Sequence, residues 1–338
     1  MSGFASVAAF DAALADLSQP DPLAIAAARE RQAQLTKPAG SLGRLEAIAL
    51  FFAGWQGRER PVASPGRAIV FAGNHGVVAQ GVSAYPPSVT QAMVANFQAG
   101  GAAINALAGV AGLDLRVVPI DLDRPTADFT AGAAMDGDDC LAALSIGAAM
   151  VEPDLALLVL GEMGIGNSTV AAALCARSFG GTGADWVGPG TGVDLAGLHH
   201  KAAVVDRALD RHADAPMTPF ETLRRVGGRE IAAIAGAVLR ARQLRVPVLL
   251  DGFICGSAIA PLACANPAIV DHCLAGHISA EPGHRRLLDR LGLDPLLSLD
   301  MRLGEGSGAA LAAGIVRAAL AAHDGMATFA EAHVATRT

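Results

Sequence analysis

The sequence predicts an α/β protein built on a doubly wound, mainly parallel sheet, with a smaller helical domain beside it. Three observations predict it. From Arg67 onward, short apolar runs alternate with alanine-rich helical stretches, the pattern of strands joined by helical crossovers. Those runs are continuously apolar instead of alternating with polar residues, so helices should cover both faces of the sheet. Before Arg67, apolar positions recur only at helical spacing.

Three helices open the chain, through Val7 to Leu17, Leu23 to Leu35 and Leu42 to Trp55. Asp21-Pro22 starts the second, with an acceptor side chain at the cap and proline in the first turn, and Lys37-Pro38-Ala39-Gly40 stops it. Ser41, with Arg44 and Leu45, opens the third. Strands are expected at Ala68 to Phe71, Leu115 to Ile120, Leu155 to Leu160, Val246 to Leu250 and Leu296 to Leu299. Gly180 to Gly192 carries neither period and reads as a long functional loop. His323 to Thr338 frays or docks as a short helix. Residues 1–65, joined by 323–338, then form the small helical domain, and 66–322 the Rossmann-like catalytic domain.

Composition narrows the function. The 338 residues can bury a sizeable core. With 25 basic against 32 acidic residues, no basic run and few aromatics, nucleic-acid binding is disfavoured. No apolar stretch approaches the roughly 20 residues of a spanning helix, so no membrane span is expected. No signal sequence opens the chain, which makes the expected location cytoplasmic. The five cysteines show no CxxC pairing and read as buried small hydrophobes. Lys37 and Lys201 are the only lysines, a scarcity that codon bias explains, yet both lie near glycine-containing loops. Those two positions suit a task that needs a compact point charge.

Ligands of such sheets bind at the carboxyl ends of the strands. Ala72-Gly73-Asn74-His75-Gly76, Gly161-Glu162, Asp251-Gly252 and Gly304-Glu305 are all expected there. Two glutamates stand out because glycines fence them, in Gly161-Glu162-Met163-Gly164-Ile165-Gly166-Asn167-Ser168-Thr169 and Leu303-Gly304-Glu305-Gly306-Ser307-Gly308. Glycines such as Gly164, Gly166 and Gly304 let bare backbone crowd a flat or anionic ligand, and a following helix offers free N–H groups. The plainer reading of either motif is a tight turn with a capping glutamate.

The first motif lacks the third glycine of a dinucleotide fingerprint and the lysine of a Walker loop. A phosphate on the helix N-terminus, with Ser168 donating, remains. His75 reads as a structural hydrogen-bonding residue. His199 and His200 are adjacent on a helix and point apart, and no HExxH occurs, so no metal or cofactor is expected. Gly81-Val82-Ser83-Ala84-Tyr85 misses the nucleophile elbow because Tyr85 replaces its last glycine. Tyr85, the only tyrosine, either packs on a flat ring or serves as a hydrophobic anchor.

Taken together and in order, these segments resemble the nicotinate-nucleotide:dimethylbenzimidazole phosphoribosyltransferases, which activate the lower base of cobalamin. The resemblance runs from Lys37-Pro38-Ala39-Gly40-Ser41-Leu42-Gly43-Arg44-Leu45-Glu46 through Gly73-Asn74-His75-Gly76-Val77-Val78, the Gly81 to Pro86 segment and the Glu162 loop. It continues through Gly188-Pro189-Gly190-Thr191-Gly192, Gly227-Gly228-Arg229-Glu230-Ile231, Asp251-Gly252-Phe253, Gly276-His277-Ile278-Ser279 and Arg302-Leu303-Gly304-Glu305-Gly306. It implies a parallel-sheet domain with a small helical domain, a homodimer, and nicotinate mononucleotide and a benzimidazole base as substrates. It also implies Glu305 as catalytic base and Glu162 as a second carboxylate. By the same resemblance Ser83, Gln91 and Leu303 line the base pocket, while Gly164, Ser168, Gly190, Lys201, Asp251, Ser279 and Arg302 surround the ribose phosphate. The competing readings are a dinucleotide-dependent dehydrogenase, disfavoured by the incomplete glycine fingerprint, and a sensor that would have lost the carboxylates retained here.

Overall fold

A computed structural model describes residues 3–190 and 192–335. Its strands are β1 (Gly66–Ala72), β2 (Asp114–Pro119), β3 (Leu157–Met163), β4 (Val248–Leu250), β5 (Cys273–Ala275), β6 (His277–Ile278) and β7 (Leu297–Ser298). The first five form one parallel sheet in the order β2-β1-β3-β4-β5, and β6 pairs with β7 in a separate parallel ribbon. Winding runs outward from β1 to β2 on one side and from β3 to β5 on the other. The switch point therefore falls between β1 and β3, where open sheets of this kind bind ligands.

Alternation along the strands sorts the apolar runs into two cores. Ile69, Phe71, Leu158, Leu160, Val248 and Leu250 join one, while Ala68, Val70, Leu157, Val159 and Leu249 join the other. Helices Gly137–Ala149, Asn167–Phe179 and Arg229–Leu244 contribute to the first, and Arg44–Gln56, Ala103–Val110 and Ser307–Gly325 to the second. Continuous apolar strands are thus the consequence of a sheet buried on both sides. Helices Gly137–Ala149 and Arg229–Leu244 touch through their backbones: a side chain at Gly147 would run into the Ala233 carbonyl, and one at Gly236 into that of Leu144.

The opening helices are Val7–Ala15, Pro22–Gln34 and Arg44–Gln56. Asp21 caps the second by accepting from the N–H groups of Leu23 and Ala24. Ser41 does not cap the third, whose cap is Gly43 at a positive φ of 54°. The end of the chain docks on these helices, as turns instead of the short helix expected. Thr328 bridges Leu35, and the Arg31 guanidinium donates to the carbonyls of His323 and Asp324. Residues 336–338 of that segment lie outside the described residues.

Four further expectations are corrected. β3 starts at Leu157 and continues to Met163, because pairing with β1 extends to Ala72↔Met163; Glu162 is therefore a strand residue. β5 was not expected, since its apolar run is only the three residues Cys273 to Ala275, between His272 and Gly276. Leu296 to Leu299 yields only β7, outside the main sheet, so Gly304-Glu305 follows a loop and leads directly into helix Ser307–Gly325. Within Gly180 to Gly192, helix Gly183–Trp186 forms under a Thr182–Asp185 capping box, with Trp186 buried; Thr191 lies outside the described residues. Cys140, Cys175, Cys255 and Cys273 are buried as expected, whereas Cys264 is exposed near the end of helix Ala260–Ala265. Among the described residues no helix is long and apolar enough to cross a membrane.

Candidate active site

The carboxyl ends of β3 and β4 border a cavity of about 260 Å³. Its wall takes Glu162 to Ile165 from the end of β3, Asn167 and Ser168 from the next helix, Gly252 and Phe253 from beyond β4, and Arg302 to Gly304 from the turn before the last helix. Tyr85, Gly190, His277, Ser279 and Glu281 complete most of the rest.

Glu162 is buried, and the Asn167 side-chain amide donates to its Oε2. Burial, followed by the nearby charges of Asp251 and Glu230, pushes its carboxyl up to about 8. Glu305 is buried just behind the wall. Gly304, Glu305 and Gly306 all adopt left-handed backbone, with φ of 81°, 65° and 82°. Only Glu305 carries a side chain there, a departure that ordinarily costs on the order of 1–3 kcal/mol and gathers at functional sites. Its Oε2 has no hydrogen-bond partner among the described residues, and burial, then the Asp251 charge, lifts its carboxyl to about 7. The glycines make this crowding feasible. A Cβ on Gly161 would meet the backbone of Glu305 and Gly306, and one on Gly304 would stand 2.6 Å from Glu162 Oε1.

Asp251 anchors the same turn. It accepts from the backbone N–H groups of Gly306 at 3.2 Å and Ala309 at 2.9 Å.

At the other end of the cavity, buried Lys201 donates to Ser168 Oγ at 3.0 Å and to the Gly188 carbonyl at 2.8 Å. Burial lowers its ammonium to about 8, against the opposing pull of Glu281. The Gly190 N–H donates to Glu281 Oε1 at 2.9 Å, and burial raises the Glu281 carboxyl despite Lys201.

Of the predicted site residues, Tyr85, Glu162, Gly164, Ser168, Gly190, Ser279, Arg302, Leu303 and Gly304 line the cavity. Glu305, Lys201 and Asp251 are buried and tied to wall residues or to the turn that carries them. Gly166 shapes the turn into helix Asn167–Phe179 at φ 90°, without joining the wall. Ser83 and Gln91 are not brought to the wall. Ser83 Oγ accepts from the Tyr85 N–H, and Gln91 is exposed on helix Ser88–Gln98. On that helix it is the preceding residue, Thr90, that accepts from the Ile165 N–H, because neighbouring helical residues point apart. His75 pairs with Glu230 at 2.7 Å, fully buried, in the structural role expected of it. Lys37, the other lysine, forms an ion pair with Glu46 at 2.8 Å.

Sequence reasoning missed Asn167 and Glu281. The signal for Asn167 was its place directly after the Gly164-Ile165-Gly166 turn, within reach of the preceding strand end. Glu281 precedes Pro282 at a helix start, which reads as an ordinary cap.

A cavity at the carboxyl end of a parallel sheet, with one raised buried carboxyl at the end of β3, a second on a glycine turn behind its wall and a lysine tied to a wall serine, is the kind of site an α/β enzyme builds. The family model DBI_PRT, described as a phosphoribosyltransferase, matches residues 17–334. A nicotinate-nucleotide–dimethylbenzimidazole phosphoribosyltransferase of Novosphingobium aromaticivorans is 73% identical over 335 residues, covering 99% of each chain. One of Methylorubrum extorquens is 57% identical over 318 residues, covering 94% of this chain and 93% of its own. A solved structure of CobT from Thermus thermophilus superposes with a TM-score of 0.86 at 42% identity, over 94% of this chain and 100% of that one. The chain belongs to the nicotinate-nucleotide–dimethylbenzimidazole phosphoribosyltransferase family.

Proposed function

We propose that the protein transfers the phosphoribosyl group of nicotinate mononucleotide to 5,6-dimethylbenzimidazole, giving alpha-ribazole 5'-phosphate and nicotinate for cobalamin nucleotide-loop assembly. Besides the family, the observation that carries this reading is the pair of carboxyls raised to about 7 at Glu305 and about 8 at Glu162, facing a lysine-bearing anion end.

The pyridinium of nicotinate mononucleotide is already cationic, so breaking its bond to the anomeric carbon releases nicotinate without an acid or a Lewis-acid metal. One benzimidazole nitrogen forms the new bond to that carbon from the opposite face, which yields the α product. The other nitrogen must then lose its proton. Glu305 accepts it, since a base working near its own titration point combines availability with driving force. Glu162 orients the base or steadies the positive charge that builds on the ribose. Tyr85 and Leu303, about half exposed at 52% and 55%, give the flat ring an apolar seat, and Ser83 and Gln91 are assigned to the base side with their segment. Gly164, Gly166, Ser168, Gly190, Lys201, Asp251, Ser279 and Arg302 are assigned to the ribose phosphate.

Incubating the protein with both substrates and seeking alpha-ribazole phosphate by mass spectrometry tests the reading; folded protein that makes none would be a sensor instead. The same reading has a cytoplasmic homodimer, independent of metal and nucleic acid. A monomer mass in sedimentation equilibrium would overturn the dimer, and loss of turnover on chelation would overturn metal independence. It also treats residues 1–65 with 323–338 as a small domain beside 66–322, supported by the Arg31 bonds to the end of the chain. Limited proteolysis that cuts first inside either part, instead of near residue 65, would count against that division.

A further inference from the structure

We infer that Glu281 is a resident anion at the phosphate end of the cavity, which a substrate phosphate must displace, so that it sets how tightly that end holds any anion. The inference rests on assigning that end to the ribose phosphate.

Glu281 is the cap residue of helix Pro282–Leu291, where a carboxylate ordinarily accepts from its own helix. It makes no such bond. Its Oε1 instead reaches across to the Gly190 N–H at 2.9 Å, and its Oε2 is buried without a partner among the described residues. The side chain fills the space at Gly188, where any Cβ would collide with Oε2. The positive charges of that end, Lys201 and Arg302, both act on this one carboxylate.

A phosphate arriving at those donors meets a like charge in a confined site, and two anions in contact there cannot both stay ionised at no cost. Glu281 must turn away or take up a proton. Free inorganic phosphate has only its own contacts to offset that cost. A phosphoriboside adds the ribose and ring contacts, and so enters. Because that cost falls on both ligands alike, Glu281 lowers anion affinity as a whole, and only a ligand with further contacts stays bound at modest concentration.

The test is calorimetric titration of sulfate, and separately of inorganic phosphate, into the wild type, Glu281→Gln and Glu281→Ala. Both variants should bind sulfate about tenfold more tightly, the lower end of what one adjacent charge does to an ionisable group. Inorganic phosphate should inhibit their turnover at correspondingly lower concentration. A residue that merely supports the fold would leave anion binding unchanged or weaker, and either result overturns the inference. So does weaker nicotinate mononucleotide binding with unaltered sulfate binding, which would make Glu281 a ribose ligand. A wild-type crystal soaked in sulfate covers the case of variants that do not fold: sulfate should sit on the Gly190 N–H and Lys201 with Glu281 turned aside. Sulfate bound there with Glu281 still on Gly190 overturns it. Sulfate binding reports on Glu281 whether or not the wild type forms alpha-ribazole phosphate, so failure of the proposed function would be seen separately.

Discussion

Glu305 combines a left-handed backbone with a buried carboxyl oxygen that lacks a partner among the described residues, and both features destabilise the folded state. Its carboxyl is raised from 4.5 to about 7, so the native state holds this proton more tightly than the unfolded chain does. Stability from this group is therefore fullest below 4.5, declines as pH rises toward 7, and is lost above that. Glu305→Gln removes the penalty. Thermal melts at pH 8 should show the variant more stable by about 1–3 kcal/mol, a few degrees in Tm, with the gain gone near pH 4. Its kcat should nonetheless fall by about 10²–10⁴, with little change in KM for nicotinate mononucleotide. In the wild type, rate should fall as pH drops through neutrality, and because Glu162 interacts with Glu305 that limb belongs to the pair. Near-native kcat in the variant would remove Glu305 as the base, and a limb near 4.5 would show that burial does not act on it. The glycine fence was legible because bare backbone is a local property. Glu281 was not, since its partner Gly190 lies 91 residues away and a glutamate before proline looks locally satisfied.

Helix Ser307–Gly325 begins on the turn that carries Glu305, and Asp251 from the end of β4 holds that beginning by two backbone N–H groups. The same aspartate raises both glutamates through its charge. Asp251→Asn should thus act twice. Loss of a charged acceptor at a helix start should cost about 1–2 kcal/mol in urea melts. The acid limb of kcat/KM should move to lower pH, because Glu305 no longer faces a neighbouring negative charge. A destabilised variant with an unmoved limb would leave Asp251 as a cap alone. Elements of this kind were legible where a flanking apolar run marks them. Val246 to Leu250 announced the three-residue β4 and Leu115 to Ile120 announced β2, whereas β5, also three residues, sits between His272 and Gly276 with no flanking apolar residues to lengthen its run. Glu162 was misplaced by the same limit, since β1 pairing extends β3 through residues whose polarity suggests its end.

Across the whole molecule, periodicity identified strands and helices but not their neighbours. The order β2-β1-β3-β4-β5 depends on which crossover covers which face, which local periodicity does not encode. That order brings Glu162 and Glu281 to the wall of one cavity, with Lys201 and Glu305 just behind it, from four separate segments. A ligand bound there is linked to global unfolding, because no unfolded chain holds those segments together. Nicotinate mononucleotide at about a hundred times its Kd should add about 2.7 kcal/mol of stability, seen as a Tm rise of several degrees. Lys201→Met should abolish most of that increment. Its ligand-free Tm should change much less, because the variant loses two hydrogen bonds but also a buried ammonium held down to about 8. An undiminished ligand increment in Lys201→Met would place the substrate's phosphate elsewhere in the cavity.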